Sequence, residues 1–351
     1  MMNADNSKTI NIHLDDFVRD LTVFDGLSAS SVALYRRQVQ EFFTWLAGNE
    51  NLRPIDQIGH QDVEAYLEWC YYPVPGLRRG NCNQTRRTKL IALHRYARFL
   101  RRQGLIPVDS DFTKDIPKPK LRKKSIPTFS SAEHEAFFRA IDPQKEKGLR
   151  DAVIFILAGF CGLRAGEISH LRLEHIQDGQ GPKHNWIDIL VPDDIACQRG
   201  RGSEGRTVDL WAAPSRDLRR YVALRLRQGG GAESPLLVTY RHKRAGTNPL
   251  NDCDLDTIIK HYAARAGILK TRISMHMFRA THADNLLGVQ GYHIRAIAAR
   301  LGHASIATTD RYLSNQHRTV GKLAPSLAAK YRWYEKVWDE PKIEGGPDAG
   351  K

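Results

Sequence analysis

Four short segments in the second half of the chain carry residue types that can do chemistry. They are GLRAGEISHL with Arg164, HMFR with His276 and Arg279, LGHASIATTDRYL with His303 and Tyr312, and the basic turn around Arg199 and Arg201. Arginine forks grip the oxygens of a phosphate or carboxylate in pairs. Histidine exchanges protons near neutrality, and a tyrosine hydroxyl, with a reference pKa of ~10, attacks only when helped. Each residue alone has a plain structural explanation. Arg164 beside Glu167 can be satisfied by an ion pair within one helical turn, a lone His by its hydrogen bonds, and a lone Tyr by half-burial in a core. Order and spacing add what single residues lack. His276 and Arg279 lie three apart, so a helix puts them on one face, and His303 stands nine residues before Tyr312 across a break at Gly302.

This ordered set resembles the tyrosine recombinases, the phage-integrase family of DNA strand-transfer enzymes. The family pattern is an Arg in a GLR-xxE helix, a Lys in a β-hairpin, HxxR, a His or Trp in LGH, and a nucleophilic Tyr. Arg164, His276, Arg279, His303 and Tyr312 match it one by one. The flanking stretches LRDAVIFILAGFCGLRAGEISHLR and LGHASIATTDRYL are similar too, as are SVALYRRQVQEFFTWL and TRRTKLIALHRYARFLRRQGLI to the family's N-terminal domain.

The resemblance implies roles. Arg164 and Arg279 clamp the non-bridging oxygens of a phosphodiester as charge builds in the transition state, a contribution on the order of 3 kcal/mol each. His276 accepts the proton of Tyr312, His303 donates a hydrogen bond to the phosphate, and Glu167 orients Arg164. The product is a 3′-phosphotyrosyl bond, which a free 5′-hydroxyl then reverses. No metal or other cofactor is called for, because the arginines supply the positive charge.

One departure bears on the leaving group. Where the family has GKGxKxR before a short strand, this chain reads RGRGSEGRTVDL, and no Lys lies between His184 and His242. Aligning Arg206 with the last basic residue of the motif puts Arg201 at the position of the lysine, with Arg199 the second choice. Arg is a poorer proton donor than Lys.

The elements that must position these groups can be read from apolar spacing. Helices are expected over Ser30 to Leu46, Asp62 to Trp69 and Thr85 to Gln103. Another follows the capping start SSAEHEAFFRAI. DAVIFILAGF (151–160) fits a buried helix or a strand, its ten residues favouring a helix. WIDILV (186–191) and TVDL (207–210) read as strands, 214–228 as a basic helix, and 252–335 as mostly helical. The fold expected is mainly α: a helical N-terminal core-binding (SAM-like) domain over 1–113, a basic linker over 114–128, an α+β catalytic domain with a small antiparallel sheet over 129–335, and a tail over 336–351.

The 351 residues carry 53 Lys plus Arg against 39 Asp plus Glu, a formal charge of +14. This excess points to a polyanion, and double-stranded DNA is the partner expected. No membrane span or leader segment is visible, and five scattered cysteines without CxxC argue against a disulfide framework; a cytoplasmic protein is expected. From Arg86 to Arg102 the third helix carries seven cations and no acid. Phosphate contacts are therefore expected from Arg86, Arg87, Lys89, Arg95, Arg98 and Arg101, and from Lys118, Lys120, Arg122, Lys123 and Lys124 of the proline-broken linker. Residues 326–340 (SLAAKYRWYEKVWDE) place Leu327, Tyr331, Tyr334 and Val337 on one side. That side packs on its own domain or, as the resemblance implies, docks into a neighbouring copy to build a tetramer on DNA, with or without a second recombinase.

Two other readings stay open. A DNA-binding protein of this fold that has lost cleavage would account for the missing lysine. A type IB topoisomerase would use similar chemistry.

Overall fold

The computed structural model describes residues 4–49, 54–74, 79–121, 126–179, 185–196, 205–240, 248–270, 273–287, 294–302 and 328–338. The chain forms two compact units, residues 1–123 and 124–351.

Among the described residues, the first unit is built from four α-helices, α1 (Ala4–Val23), α2 (Ala29–Gly48), α3 (His60–Tyr71) and α4 (Asn83–Arg102). The spacing that predicts α2, α3 and α4 is the spacing of their buried residues. Val39, Phe42, Phe43 and Leu46 of α2 meet Val63, Tyr66 and Leu67 of α3 and Leu90, Leu93, Tyr96, Ala97 and Leu100 of α4. Helix α1 closes the core with Leu14, Phe17 and Leu21, the Phe17 ring set edge-on against Tyr96.

In the second unit, α5 (Ser131–Arg139) starts at a capping box. Ser130 Oγ accepts from the Glu133 amide, and the Glu133 carboxylate accepts from the Ser130 amide. The ambiguous apolar run is a helix, α6 (Glu146–Gly159), buried on every side from Gly148 onward, which explains why it shows no polar stripe. Helix α7 (Ala165–His170) follows after a turn at Gly162. The sheet has three antiparallel strands, β1 (Ile176–Asp178), β2 (Ile187–Val191) and β3 (Arg206–Leu210), in that order. Ile176 pairs with Ile189, and Ile187 with Leu210 through to Val191 with Arg206. Strand β1 carries no sequence signal, because three residues, IQD, are too few to show alternation. After α8 (Asp193–Ala196), the helices α9 (Ala212–Arg227), α10 (Asp252–Arg265), α11 (Met275–Leu287) and α12 (Ile294–Leu301) complete the unit.

The segment 328–338 takes the first of the two arrangements expected for it, packing on its own unit. Tyr331, Tyr334 and Val337 are buried in the core of their own unit. Tyr331 stacks on Trp211 with centroids 5.6 Å apart, Tyr334 Oη donates to Asp217 at 3.2 Å, and Trp338 Nε1 donates to the Phe138 carbonyl at 3.0 Å. That side is covered by its own unit, and packing continues to Trp338, into the stretch expected to be a tail. Leu327 lies outside the described residues.

Candidate active site

Glu167 is the centre of the site. It stands at the third position of α7, and its Oε2 accepts from the Arg164 amide at 2.8 Å, a local bond that the GLRxxE spacing provides for directly. The Arg164 guanidinium donates to Oε1 of the same carboxylate at 2.9 Å. Arg206, the first residue of β3, adds a two-bond fork, Nη1 to Oε1 at 3.0 Å and Nη2 to Oε2 at 2.9 Å. Arg279 of α11 approaches Oε2 at 3.8 Å. Burial would raise the pKa of a carboxyl that is only 2% exposed. The bond and charge of Arg206, followed by the charge of Arg279, outweigh burial and hold Glu167 below the usual carboxylate range. Three guanidiniums around one carboxylate leave a positive excess, as a phosphate site requires.

The same three arginines close the C-terminal end of α12. Its last carbonyls lack partners within the helix. Arg206 Nε donates to the Arg300 carbonyl at 2.6 Å, Arg279 Nη2 to that of Leu301, and Arg164 Nη2 to that of Gly302 at 3.3 Å. Gly302 ends the helix with φ +62°, and a Cβ there would stand 2.6 Å from Arg206 Nη1. Glycine is therefore demanded by backbone conformation and by space. On the other side of Arg279, Nη1 donates to the Gly162 carbonyl at 2.5 Å.

The two arginines expected to clamp a phosphate differ in access. Arg164 has 27% of its side chain exposed, whereas Arg279 has none. His276 lies one turn before Arg279 on α11 and is exposed, between the buried Met275 and Met277. Although its side chain reaches the surface, the surrounding protein strips much of its hydration, and this, followed by the charges of Arg279 and Arg164, brings its pKa down to about 4. Its imidazole is neutral at pH 7, in the form that can accept a proton. The structure therefore brings together Arg164, Glu167, His276 and Arg279. His303, Tyr312, Arg199 and Arg201 lie outside the described residues.

Arg206, which the family motif offers only as its last basic residue, is a full member of the cluster. A signal was present: Val208 and Leu210 are the inward residues of β3, and alternation puts Arg206 on their face, where a charge needs a partner. Behind it, Arg300 pairs with Asp209 of β3 and donates to His282 Nε2 at 3.2 Å, tying α12 to β3 a second time.

The expected phosphate contacts on α4 need correction at Lys89. Its side chain is 2% exposed, and its ammonium pairs with Glu41 at 2.6 Å and bonds Tyr66 Oη at 3.0 Å. It is part of the core. Arg95 and Arg98 both pair with Asp25, Arg102 with Asp20, and Arg101 with Asp111 at 3.1 Å, so acids from other segments answer the bare cation run. Arg86 lies over the Tyr71 ring at 4.6 Å, and Arg87 is half-buried. Lys118 and Lys120 are exposed, and Arg122, Lys123 and Lys124 lie outside the described residues. No described helix is long and apolar enough to cross a membrane.

Comparison with known proteins fits this arrangement. The phage integrase family profile matches residues 127–318, and that of the phage integrase N-terminal SAM-like domain matches residues 14–104. The tyrosine recombinase XerD of Pseudomonas aeruginosa is 30% identical over 302 residues, which cover 85% of this chain and 91% of that protein. The tyrosine recombinase XerC of Anoxybacillus flavithermus is 24% identical over 307 residues, 87% of this chain and 93% of the relative. In fold, the chain is similar to the XerH site-specific recombinase bound to its difH substrate, with a TM-score of 0.59 and 18% identity over 81% of this chain and 76% of that one. It is also similar to a lambda integrase dimer bound to a COC′ core site, with a TM-score of 0.59 and 15% identity over 89% and 98% of the two chains. By profile, by length of match and by fold, the chain belongs to the phage integrase family of tyrosine recombinases.

Proposed function

We propose that this protein is a site-specific DNA recombinase that cuts and rejoins strands through a 3′-phosphotyrosyl intermediate on Tyr312. It would serve the integration, excision or transposition of a mobile element, or the resolution of joined DNA. The observation that carries this reading is the convergence of Arg164, Arg206 and Arg279 on Glu167, beside a neutral His276. The cluster offers a preorganised positive site for a phosphodiester, with a proton acceptor at its edge. Arg164 meets the phosphate first, and Arg279 has to be uncovered before it can touch DNA. His303 adds a hydrogen bond, and Arg201 stands at the leaving 5′-oxygen in place of the family's lysine. The partner is double-stranded DNA, held by a homo-oligomer that reaches a tetramer at synapsis, alone or beside a second recombinase.

The test uses a duplex that the full-length protein selects from a random-sequence pool, nicked opposite the scissile phosphate so that the attacking strand is lost. The wild type becomes trapped as an SDS-stable adduct, while Tyr312→Phe binds the same duplex and forms none. A wild type that forms no adduct supports the DNA-binding alternative. An adduct that survives in Tyr312→Phe moves the nucleophile elsewhere, with Tyr292 next to be tested.

A further inference from the structure

We infer that Arg206 is a positioning residue for strand cleavage: by bridging Glu167 to the carbonyl of Arg300, it locks the first residue of β3 to Arg164 and to the end of α12. The inference rests on the recombinase reading above. Arg206 is not itself a phosphate ligand. Its three nitrogens are all engaged within the protein, Nε with the Arg300 carbonyl and Nη1 and Nη2 with the two oxygens of Glu167. It also sits where backbone pairing stops. Val191 with Arg206 is the last rung of the β2–β3 ladder, and the next amide, that of Gly205, turns aside to Asp193 Oδ1 at 2.6 Å. Side-chain bonds therefore hold this end of the strand where the ladder no longer can. Arg201 lies five residues upstream, in the stretch that enters β3.

The second effect runs through Glu167. With Arg206 in place, the buried carboxylate is satisfied by a fork, and Arg164 adds its amide and only one guanidinium nitrogen while its side chain stays partly exposed. Without Arg206, Glu167 loses two charge-assisted bonds while remaining buried. It then takes up a proton or draws Arg164 inward, and either outcome weakens the grip on phosphate. Because Arg206 is the strongest influence holding this carboxyl ionised, its loss should raise the pH at which Glu167 protonates.

The experiment measures single-turnover adduct formation by full-length wild type, Arg206→Gln and Arg206→Lys on the selected nicked duplex, across roughly pH 5–9. Duplex affinity and circular dichroism are followed in parallel. Arg206→Gln should bind DNA like the wild type, cleave about 10- to 100-fold more slowly at neutral pH, and lose activity on the acid side about one pH unit earlier. Arg206→Lys should restore the acid limb, because its charge again faces Glu167, but not the full rate, because an ammonium cannot also reach the Arg300 carbonyl. In an Glu167→Gln background, Arg206→Gln should no longer move the acid limb. If Arg206→Gln fails to fold, the Lys variant decides: slow cleavage with intact binding supports the inference. Wild-type rate and pH profile in the folded variant overturn it, as does a loss of rate that only follows lost affinity at every pH. A wild type that forms no adduct overturns the recombinase reading and this inference with it.

Discussion

Arg206 and Glu167 meet as fork and carboxylate across 39 residues of sequence, Nη1 on Oε1 at 3.0 Å and Nη2 on Oε2 at 2.9 Å. The pair joins the start of a strand to the first turn of a short helix, and both side chains are almost wholly buried. A buried pair of this kind is weak evidence for stability, because desolvation offsets much of the attraction. Its value here is geometric. The carboxylate also holds Arg164, and the fork also holds the end of α12, so the pair ties α7, β3 and α12 together at one point.

Arg164 and Arg201 are expected to fail in different ways. Arg164→Ala should slow cleavage by about 10²–10³-fold, as for a lost transition-state donor, and Arg201→Ala by about 10²–10⁴-fold, as for a lost general acid. Sulfur at the 5′-bridging position makes a leaving group that scarcely needs a proton. It should restore most of the rate to Arg201→Ala and little to Arg164→Ala. Rescue of Arg199→Ala instead would shift the leaving-group role two residues upstream.

The cations of the first unit should separate into two kinds. Lys120→Gln, at an exposed position, should lower the slope of log K against log salt by about 0.9 if it loses one phosphate contact. Lys89→Gln should leave that slope unchanged and instead destabilise the unit by about 2 kcal/mol, through its lost bonds to Tyr66 and Glu41. Salt titrations and urea melts on the same proteins read both. A changed slope for Lys89→Gln would mean that its ammonium reaches DNA after all.

Acid should weaken the second unit through His134. Its ring is buried among Phe129, Phe138, Phe160 and Trp333, its Nε2 has no hydrogen-bond partner among the described residues, and burial lowers its pKa to about 3. Below about pH 6.5 the unfolded chain binds a proton that the folded one refuses until about pH 3. Stability is therefore full above that upper value and falls as pH drops through the window, by at most about 1.4 kcal/mol per pH unit. His282, buried beside Arg300 and Arg279, acts in the same direction. Urea unfolding near neutrality and near pH 4.5 should show a smaller acid loss in His134→Leu than in the wild type. Equal losses would show that other groups carry the acid sensitivity.

The sequence by itself determined whatever is local. Apolar residues at helical spacing marked α2, α3, α4 and α9, Ser130 and Glu133 marked the start of α5, and alternation marked β2 and β3. The bond between Glu167 and the Arg164 amide follows from a spacing of three at a helix start, and the break expected at Gly302 is where α12 ends, at a glycine with positive φ. Such features are legible because the interacting atoms are separated by one turn of chain, whose geometry the backbone dictates.

Only the tertiary structure decided which charges meet. Along α4 the cations stand without an acid, yet Asp20, Asp25 and Asp111 reach them from elements distant in sequence, and Lys89 turns inward to Glu41 and Tyr66. Tyr331 and Tyr334 could equally have served a neighbour, and the aromatic surface that covers them comes from Phe138, Phe160 and Trp211. Arg206 joins the site because β3 ends opposite α7 and α12. Hydrophobic periodicity records which face of an element is buried, but not which element buries it. A charged side chain takes its role from that partner, because ion pairs and hydrogen bonds act over a few ångströms and the fold alone brings distant residues that close.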